Sequence, residues 1–135
     1  MAWRWVEHTG ELELEAEAPT PEAVFAEGLA AMAELLGQEG DAVAGRARET
    51  RELHLSGRDR AVLFADWLAE LAVLAETEGF VVDEARRIEL GGDAVRATVL
   101  GHRGQPPHLV KAVTLHRLLF AHDDRGWRAR ATLDV

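Results

Sequence analysis

Hydrophobic and polar residues alternate near the start of the chain. Residues 3–7 alternate as in a short strand, and residues 8–10 form a predicted turn. From Glu11 to Ala18, glutamates alternate with leucine or alanine, which predicts a second strand with one apolar and one acidic face. We interpret the acidic row as a solvated sheet face, since such a row also protects a strand from aggregation.

Two longer segments have helical periodicity. The first begins at Thr20, an N-cap residue followed by proline, and ends before Gly37. The second is capped by Asp59, ends at Gly79 and is apolar around most of its circumference, except for a narrow polar stripe that includes Glu70. We therefore expect two helices, the second of them largely buried.

The remaining apolar runs predict strands, most of them in the C-terminal half. They cover residues 46–55, 80–82, 86–90, 94–100, 110–120 and 127–135, with loops or turns at 38–45, 91–93, 101–108 and 123–126. This order indicates the α+β class, with two main helices packed on a largely antiparallel sheet. Counting outward from the last turn places Val135 opposite residues 115–116, with Lys111 beyond the chain end.

The composition is typical of one soluble domain. The chain has 135 residues, 47% of them hydrophobic, and no cysteine, so we expect a single domain over residues 1–135 without disulfides or cysteine-ligated zinc. No run approaches the ~18 apolar residues of a membrane span and no signal-peptide pattern occurs, so we expect a cytoplasmic protein without a membrane partner. The net charge of −9 argues against direct nucleic-acid binding.

Carboxylates are the most promising chemical groups. The chain contains no phosphate-binding loop, dinucleotide-binding turn, serine-hydrolase elbow or zinc-protease motif. None of the six histidines pairs with another at ligand spacing, and His8 is notable only for its place beside the first turn. Glu11, Asp134 and the main-chain carboxylate of Val135 offer the oxygens that a hard divalent cation prefers. The alternative, in which both acids are solvated residues at strand ends, stays open at this point.

Lysine occurs once in the chain. Fourteen of the 15 residues that are lysine or arginine are arginine, and the remaining one is Lys111. A compact ammonium group is not interchangeable with a planar guanidinium. Lys111 is therefore a candidate functional residue, with chance as the alternative.

Four short motifs together carry a family resemblance. They are EHTGEL at 7–12, WLAEL at 67–71, VKAVTLH at 110–116 and LDV at 133–135. In this order and spacing, the chain resembles archease, the small acidic partner protein of the RtcB-type RNA-splicing ligase. The resemblance covers the whole chain and implies an archease-like fold.

The resemblance also implies a site and a cofactor. Archeases have no known catalysis of their own and bind a divalent cation, with calcium as the expected ion here. The residues that match its ligands are Glu11, Asp134 and Val135. Where the family usually has Ala-Asp, this chain has Gly10-Glu11, so the first ligand is one methylene longer.

Four further residues in these motifs are candidates for partner contact. Lys111 matches the lysine of the family's KA[VI]T motif, and His8 and Thr9 belong to the first motif. Glu70 lies in the second motif, on the polar stripe of the second helix. We expect Glu70 to find a hydrogen-bond partner near the functional surface, or else to pair with an arginine as an ordinary surface acid.

The family's role implies a non-catalytic function. An archease promotes guanylylation and multiple turnover of an RtcB-type RNA ligase in tRNA splicing and RNA repair, and meets RNA only through the ligase. Two other readings remain. One is a small metal-dependent hydrolase that uses His8 as acid or base, and the other is a chaperone-like interaction module without a metal.

Overall fold

The computed structural model describes residues 1–37, 47–107 and 109–135. The elements in chain order are β1 (Ala2–His8), β2 (Glu11–Ala18), α1 (Pro21–Leu36), β3 (Arg48–Ser56), α2 (Arg60–Glu78), β4 (Phe80–Leu90), β5 (Ala94–Arg103), β6 (Ala112–Asp123) and β7 (Gly126–Asp134). The predicted loop at 38–45, the predicted strand start at Arg46, and His108 lie outside the described residues.

Both helices begin and end where the sequence predicts. The Thr20 hydroxyl accepts a hydrogen bond from the Ala23 amide at 3.2 Å, and Asp59 Oδ1 accepts one from the Val62 amide at 2.8 Å. These bonds satisfy backbone donors that a helix N-terminus leaves without partners. Gly79 ends α2 in the left-handed conformation, with φ 65°, which glycine adopts most easily.

The strands form two antiparallel sheets. One has four strands in the order β1-β2-β7-β6, and the other has three in the order β3-β5-β4. Helix α1 packs against β2 and β4, and α2 packs against β6 and β4. One cluster of buried residues joins the helices to both sheets. The predicted α+β class, with two helices on antiparallel strands, is confirmed.

Aromatic side chains fill the contact between the helices. Phe25 of α1 packs edge-on against Phe64 of α2 with ring centroids 5.4 Å apart, and Trp67 Nε1 donates to the Phe25 carbonyl at 3.0 Å. A Cβ on Gly28 would lie 2.8 Å from a Phe64 ring carbon, so glycine allows this close approach. As predicted, α2 is mostly buried, although Val73 in its apolar part is 47% exposed. In the described ranges, no helix is both long and apolar enough to cross a bilayer.

Residues 80–90 form one strand rather than the two short strands predicted. Strand β4 changes register against β5 twice, once after Val82 and once after Ala85. Each irregularity interrupts the alternation of inward and outward side chains. The polar residues between the two apolar runs therefore belong to a continuous strand, and the prediction of a break is wrong.

Strand β5 continues to Arg103, into the segment predicted as a surface loop. Gly101 is a sheet residue, paired with Val82 of β4. A Cβ at this position would lie 2.5 Å from the Val81 carbonyl oxygen and 2.6 Å from a Phe80 ring carbon. Glycine thus allows β4 to approach closely here, and it does not mark the start of a loop.

The β6–β7 hairpin contains a large irregularity. Leu119 of β6 pairs with Arg130 of β7, but the next pair is Thr114 with Thr132. Four residues of β6, 115–118, therefore face one residue of β7. We call residues 115–118 the β6 bulge. The β6 bulge changes the register of β6 against β7 for every pair from Thr114–Thr132 to Ala112–Asp134.

Candidate metal site

Two acidic side chains lie opposite each other at one end of the four-stranded sheet. Glu11 begins β2, Asp134 ends β7, and the two are register partners. His8 at the end of β1 is the register partner of Glu11 on its other side. Directly opposed residues have Cβ atoms ~4.5–5.5 Å apart on one face. That face is turned away from the helices, since alternate residues such as Leu14 enter the core. We call Glu11 and Asp134 the acid pair.

The first turn and the residue after β7 lie next to each other. The Val135 amide donates to the Gly10 carbonyl at 3.4 Å. Gly10 has φ +73°, a conformation that glycine adopts without steric cost. The structure therefore places Val135 beside the turn that precedes Glu11.

Lys111 lies beside Asp134, but through a different register from the predicted one. Its amide donates to the Asp134 carbonyl at 2.8 Å, and Ala112 is the register partner of Asp134. The expectation that Val135 lies opposite residues 115–116 is wrong, because the β6 bulge sets four residues of β6 against one of β7. The Lys111 residue is exposed, which leaves its ammonium group accessible at this end of the sheet.

The acid pair has no cationic partner among the described residues. Glu11 and Asp134 are half-buried, and neither makes a side-chain hydrogen bond or ion pair with a residue in 1–37, 47–107 or 109–135. Like charges directly opposite each other destabilise a sheet. Carboxylate oxygens are the preferred ligands of hard divalent cations. The chemistry of the acid pair therefore fits a divalent cation such as calcium.

Two side chains do not by themselves complete a cation site. Within the part of the chain that the structure describes, no three histidine, cysteine, aspartate or glutamate side chains are grouped so that they could hold a metal ion. Val135 follows Asp134 and lies beside the first turn, so its main-chain oxygen is the third candidate ligand. The candidate ligands are thus Glu11, Asp134 and Val135.

Glu13 is buried, although it belongs to the acidic row predicted to be solvated. It is 2% exposed, and its carboxylate oxygens lie 3.1 Å from His8 Nε2, 3.3 Å from Arg117 Nη1 and 3.6 Å from Arg130 Nε. We call these four residues the Glu13 cluster. The prediction of a uniformly solvated row is wrong here, because Arg117 of the β6 bulge and Arg130 of β7 lie against this acid.

Sequence reasoning missed the Glu13 cluster. The period-two alternation shows that Glu13 and Glu11 share a face, but it carries no information on what covers that face. The approach of Arg117 depends on the β6 bulge, and no glycine or proline marks that bulge in the sequence. The one available signal was the position of Glu13 close to His8 and two residues from Glu11.

The other candidate residues are only partly gathered at the acid pair. Thr9 is exposed in the first turn, beside the pair. The His8 ring is engaged by Glu13, not by the acid pair. Glu70 is half-buried on α2, on the helix side of the sheet, and makes no hydrogen bond or ion pair with any described residue. The structure therefore does not bring Glu70 to the other candidates, and its expected partner is not found among the described residues.

A family model and the curated relatives of this chain point to the same family. Residues 3–135 match the model of the Archease protein family (MTH1598/TM1083). The chain is 31% identical to the protein archease of Methanopyrus kandleri over 145 residues, covering 100% of both chains. It is 29% identical to the protein archease of Methanosarcina barkeri over 142 residues, covering 98% of this chain and 95% of that relative.

Two solved structures share the fold. The solution structure of a Methanobacterium thermoautotrophicum protein superposes with a TM-score of 0.74 and 25% identity, covering 98% of both chains. The crystal structure of a Thermotoga maritima archease, described as a possible chaperone, superposes with a TM-score of 0.69 and 20% identity, covering 96% of this chain and 94% of that one. Both similarities extend over nearly the whole α+β fold.

Proposed function

This chain belongs to the archease family, and from that premise we propose that it is a non-catalytic accessory protein that activates an RtcB-type RNA ligase in the cytoplasm. In this role it promotes guanylylation of the ligase and its multiple turnover during tRNA splicing and RNA repair. The description of the Thermotoga maritima relative as a possible chaperone agrees with action on a protein partner.

The proposal includes a divalent cation, with calcium as the expected ion. The observation that carries it is the direct pairing of Glu11 with Asp134 beside Val135, with no cationic side chain of the described residues bound to either acid. A bound cation supplies positive charge and coordination positions for further oxygen ligands. Glu11 takes the place of the family's usual aspartate, so its carboxylate extends further from β2.

The charge of the chain favours a protein partner over direct RNA contact. A net charge of −9 repels a phosphate backbone. A ligase that holds RNA and a nucleotide is expected to present a positively charged cleft, and an acidic protein complements such a surface and is steered towards it. RNA is therefore met only through the ligase in this proposal.

Lys111 is the residue that we assign to partner or phosphate contact. It is exposed and lies beside Asp134. Its ammonium group can offset surplus negative charge at the acid pair or bind a phosphate oxygen on the ligase-bound nucleotide. Thr9 and His8 extend the same end of the sheet. We do not assign Glu70 to this surface, because it lies on the helix side of the molecule.

The hydrolase reading has less support from the geometry. It requires His8 to act as acid or base at the acid pair, but His8 Nε2 lies 3.1 Å from Glu13 Oε2. The ring is thus committed to a buried carboxylate. Hydrolysis of a phosphoester or ester by the protein alone would support the hydrolase and contradict our proposal.

A guanylylation assay with the cognate ligase tests the proposed function. We expect the wild-type protein to increase the guanylylated fraction of the ligase, and we expect the double variant Glu11→Gln, Asp134→Asn to lose most of this effect. Asp124→Asn is a matched control, because Asp124 is an exposed aspartate in the turn at the other end of β7. No stimulation by the wild type, or equal stimulation by all three proteins, would contradict the proposal.

A further inference from the structure

The β6 bulge is held by side chains of the neighbouring strand. Thr132 Oγ1 donates to the His116 carbonyl at 3.2 Å, and Arg130 Nε donates to the Arg117 carbonyl at 2.8 Å. The His116 amide donates to Thr114 Oγ1 at 3.3 Å. The first two bonds occupy carbonyls, and the third occupies an amide, that leave the regular ladder at the bulge. The bulge is therefore a specifically bonded structure.

Arg117 connects the bulge to β2, in addition to the hydrogen bonds that connect it to β7. Its φ is 57°, and it is the single described non-glycine residue with a positive φ. A bulky side chain rarely adopts this conformation unless its surroundings impose it. The ion pair of Arg117 Nη1 with Glu13 Oε2, at 3.3 Å, is the contact that ties this residue to β2.

The bulge also determines what lies next to the acid pair. Between the turn and Leu119 the hairpin has one register, and beyond the bulge it has another, in which Ala112 pairs with Asp134 and the Lys111 amide donates to the Asp134 carbonyl. If the bulge relaxed, the end of β6 would slide along β7, because register is set by such irregularities. Lys111 would then leave Asp134.

Glu13 connects these features to the acid pair. It contacts β1 through His8, the β6 bulge through Arg117 and β7 through Arg130. It lies two residues from Glu11 on the same strand face, a distance of roughly 7 Å along an antiparallel strand. Because Glu13 is buried, water does not compensate its negative charge. The charge therefore depends on its ion-pair partners, and losing one of them is costly.

We propose that Glu13 is a positioning residue: by holding Arg117 it fixes the β6 bulge, and the bulge in turn sets the register that places Lys111 beside the acid pair. The effect of this positioning on cation binding and on the ligase rests on the proposed function. The register itself, however, can be measured without either of them.

The test compares three variants with the wild-type protein. Glu13→Gln and Arg117→Gln each break the ion pair, and Arg117 is half exposed, so its variant tests the idea even if Glu13→Gln fails to fold. Glu15→Gln is the control, because Glu15 lies on the same strand and face and pairs with Arg4 outside the bulge. The two measurements are hydrogen exchange at the Lys111 amide and calcium affinity by titration calorimetry.

We expect both cluster variants to speed exchange at the Lys111 amide, because the hydrogen bond from this amide to the Asp134 carbonyl opens more often. The same opening loosens the end of β7 that carries Asp134, so we expect calcium binding to weaken about tenfold, as loss of a supporting residue around a metal site commonly does. The Glu15→Gln variant should leave exchange at this amide unchanged. Arg117→Gln separates positioning from charge. Removing the Arg117 charge, or moving Lys111 away from the acid pair, would by itself strengthen cation binding, whereas loosening the strand end that carries the ligand Asp134 weakens it by more. Tighter calcium binding by Arg117→Gln would therefore overturn the proposal.

Failure of the proposed function is distinguishable from failure of this inference. If the wild-type protein binds no calcium, the cation site is wrong, and exchange at the Lys111 amide alone decides the role of Glu13. Faster exchange in the cluster variants then supports the positioning role. Unchanged exchange in Arg117→Gln overturns it, whatever the calcium result.

Discussion

Asp134→Asn should change stability in opposite directions without and with calcium. Without a bound cation, the acid pair places two negative charges on directly opposed positions of β2 and β7. Asparagine removes one of these charges and keeps nearly the same shape. The same substitution removes a charged ligand from the proposed cation site, so the gain from calcium should largely disappear.

The expected magnitudes follow from the pairing of the two strands. A pair of charges directly opposite each other on two antiparallel strands changes stability by up to ~1 kcal/mol, so the variant should be more stable than wild type by about that amount in the presence of a chelator. At free calcium a hundred times the wild-type dissociation constant, the wild type gains ~2.7 kcal/mol. If the variant binds a hundredfold more weakly, it gains only ~0.4 kcal/mol, and it is then less stable than wild type by about 1.3 kcal/mol.

Urea unfolding with a chelator and with calcium measures this crossover. Asp124→Asn is the control, since this exposed aspartate lies in the β6–β7 turn and should respond to calcium as the wild type does. A variant at Asp134 that is destabilised in the chelator would show that the acids do not repel each other. One that keeps the full calcium gain would show that Asp134 is not a ligand.

The remaining predictions concern the lysine, the end of β7 and the second sheet. Lys111→Arg should fold as the wild type does, by circular dichroism, but lose most of its stimulation of ligase guanylylation, because a guanidinium does not reproduce a compact ammonium; full stimulation would make this lysine an accident of composition. Residues added after Val135 should weaken calcium affinity in titration calorimetry, since they replace a carboxylate with an amide; unchanged affinity would exclude Val135 as a charged ligand. Gly101→Ala should lower the free energy of unfolding by about 3 kcal/mol in urea, because its Cβ would lie 2.5 Å from the Val81 carbonyl oxygen. Gly92→Ala, with no atom within 4 Å of the added Cβ, should stay within about 0.5 kcal/mol of wild type, and equal losses for the two variants would contradict the close approach of β4.

Local signals were sufficient to predict the helices and the fold class. Thr20 and Asp59 cap their helices by accepting hydrogen bonds from amides three residues later. Gly79 ends the second helix because its own backbone adopts the left-handed conformation. Such signals depend on neighbours in sequence, and period-two alternation likewise identified the strand that carries Glu11. These features therefore needed no knowledge of tertiary contacts.

Features that depend on contacts between distant residues were not predictable. The sequence predicts a loop from Gly101 onward, because nothing near this residue in sequence shows that the Val81 carbonyl lies against it. The burial of Glu13 depends on Arg117, which reaches it only through an irregularity with a positive φ at an arginine. A residue without a glycine's conformational freedom gives no warning of such a turn.

The residues of the acid pair could be named from the sequence, but their pairing and surroundings could not. Its ligand set came from the family resemblance, since sequence spacing could not show that Glu11 and Asp134 are neighbours. The structure pairs them directly across β2 and β7. A register count without a bulge predicts the wrong partner for Val135, and Lys111 lies beside Asp134 because of the β6 bulge.

The most direct test of the central claim is RNA joining under conditions where substrate exceeds ligase. The cognate ligase is assayed with no added protein, with the wild-type protein, and with the double variant Glu11→Gln, Asp134→Asn, and the number of joined RNA molecules per ligase is counted. We predict many turnovers with the wild type, and far fewer with the double variant or without the protein. A wild-type protein that leaves the turnover number unchanged would contradict activation of the ligase, and a double variant as effective as the wild type would contradict the role of the acid pair.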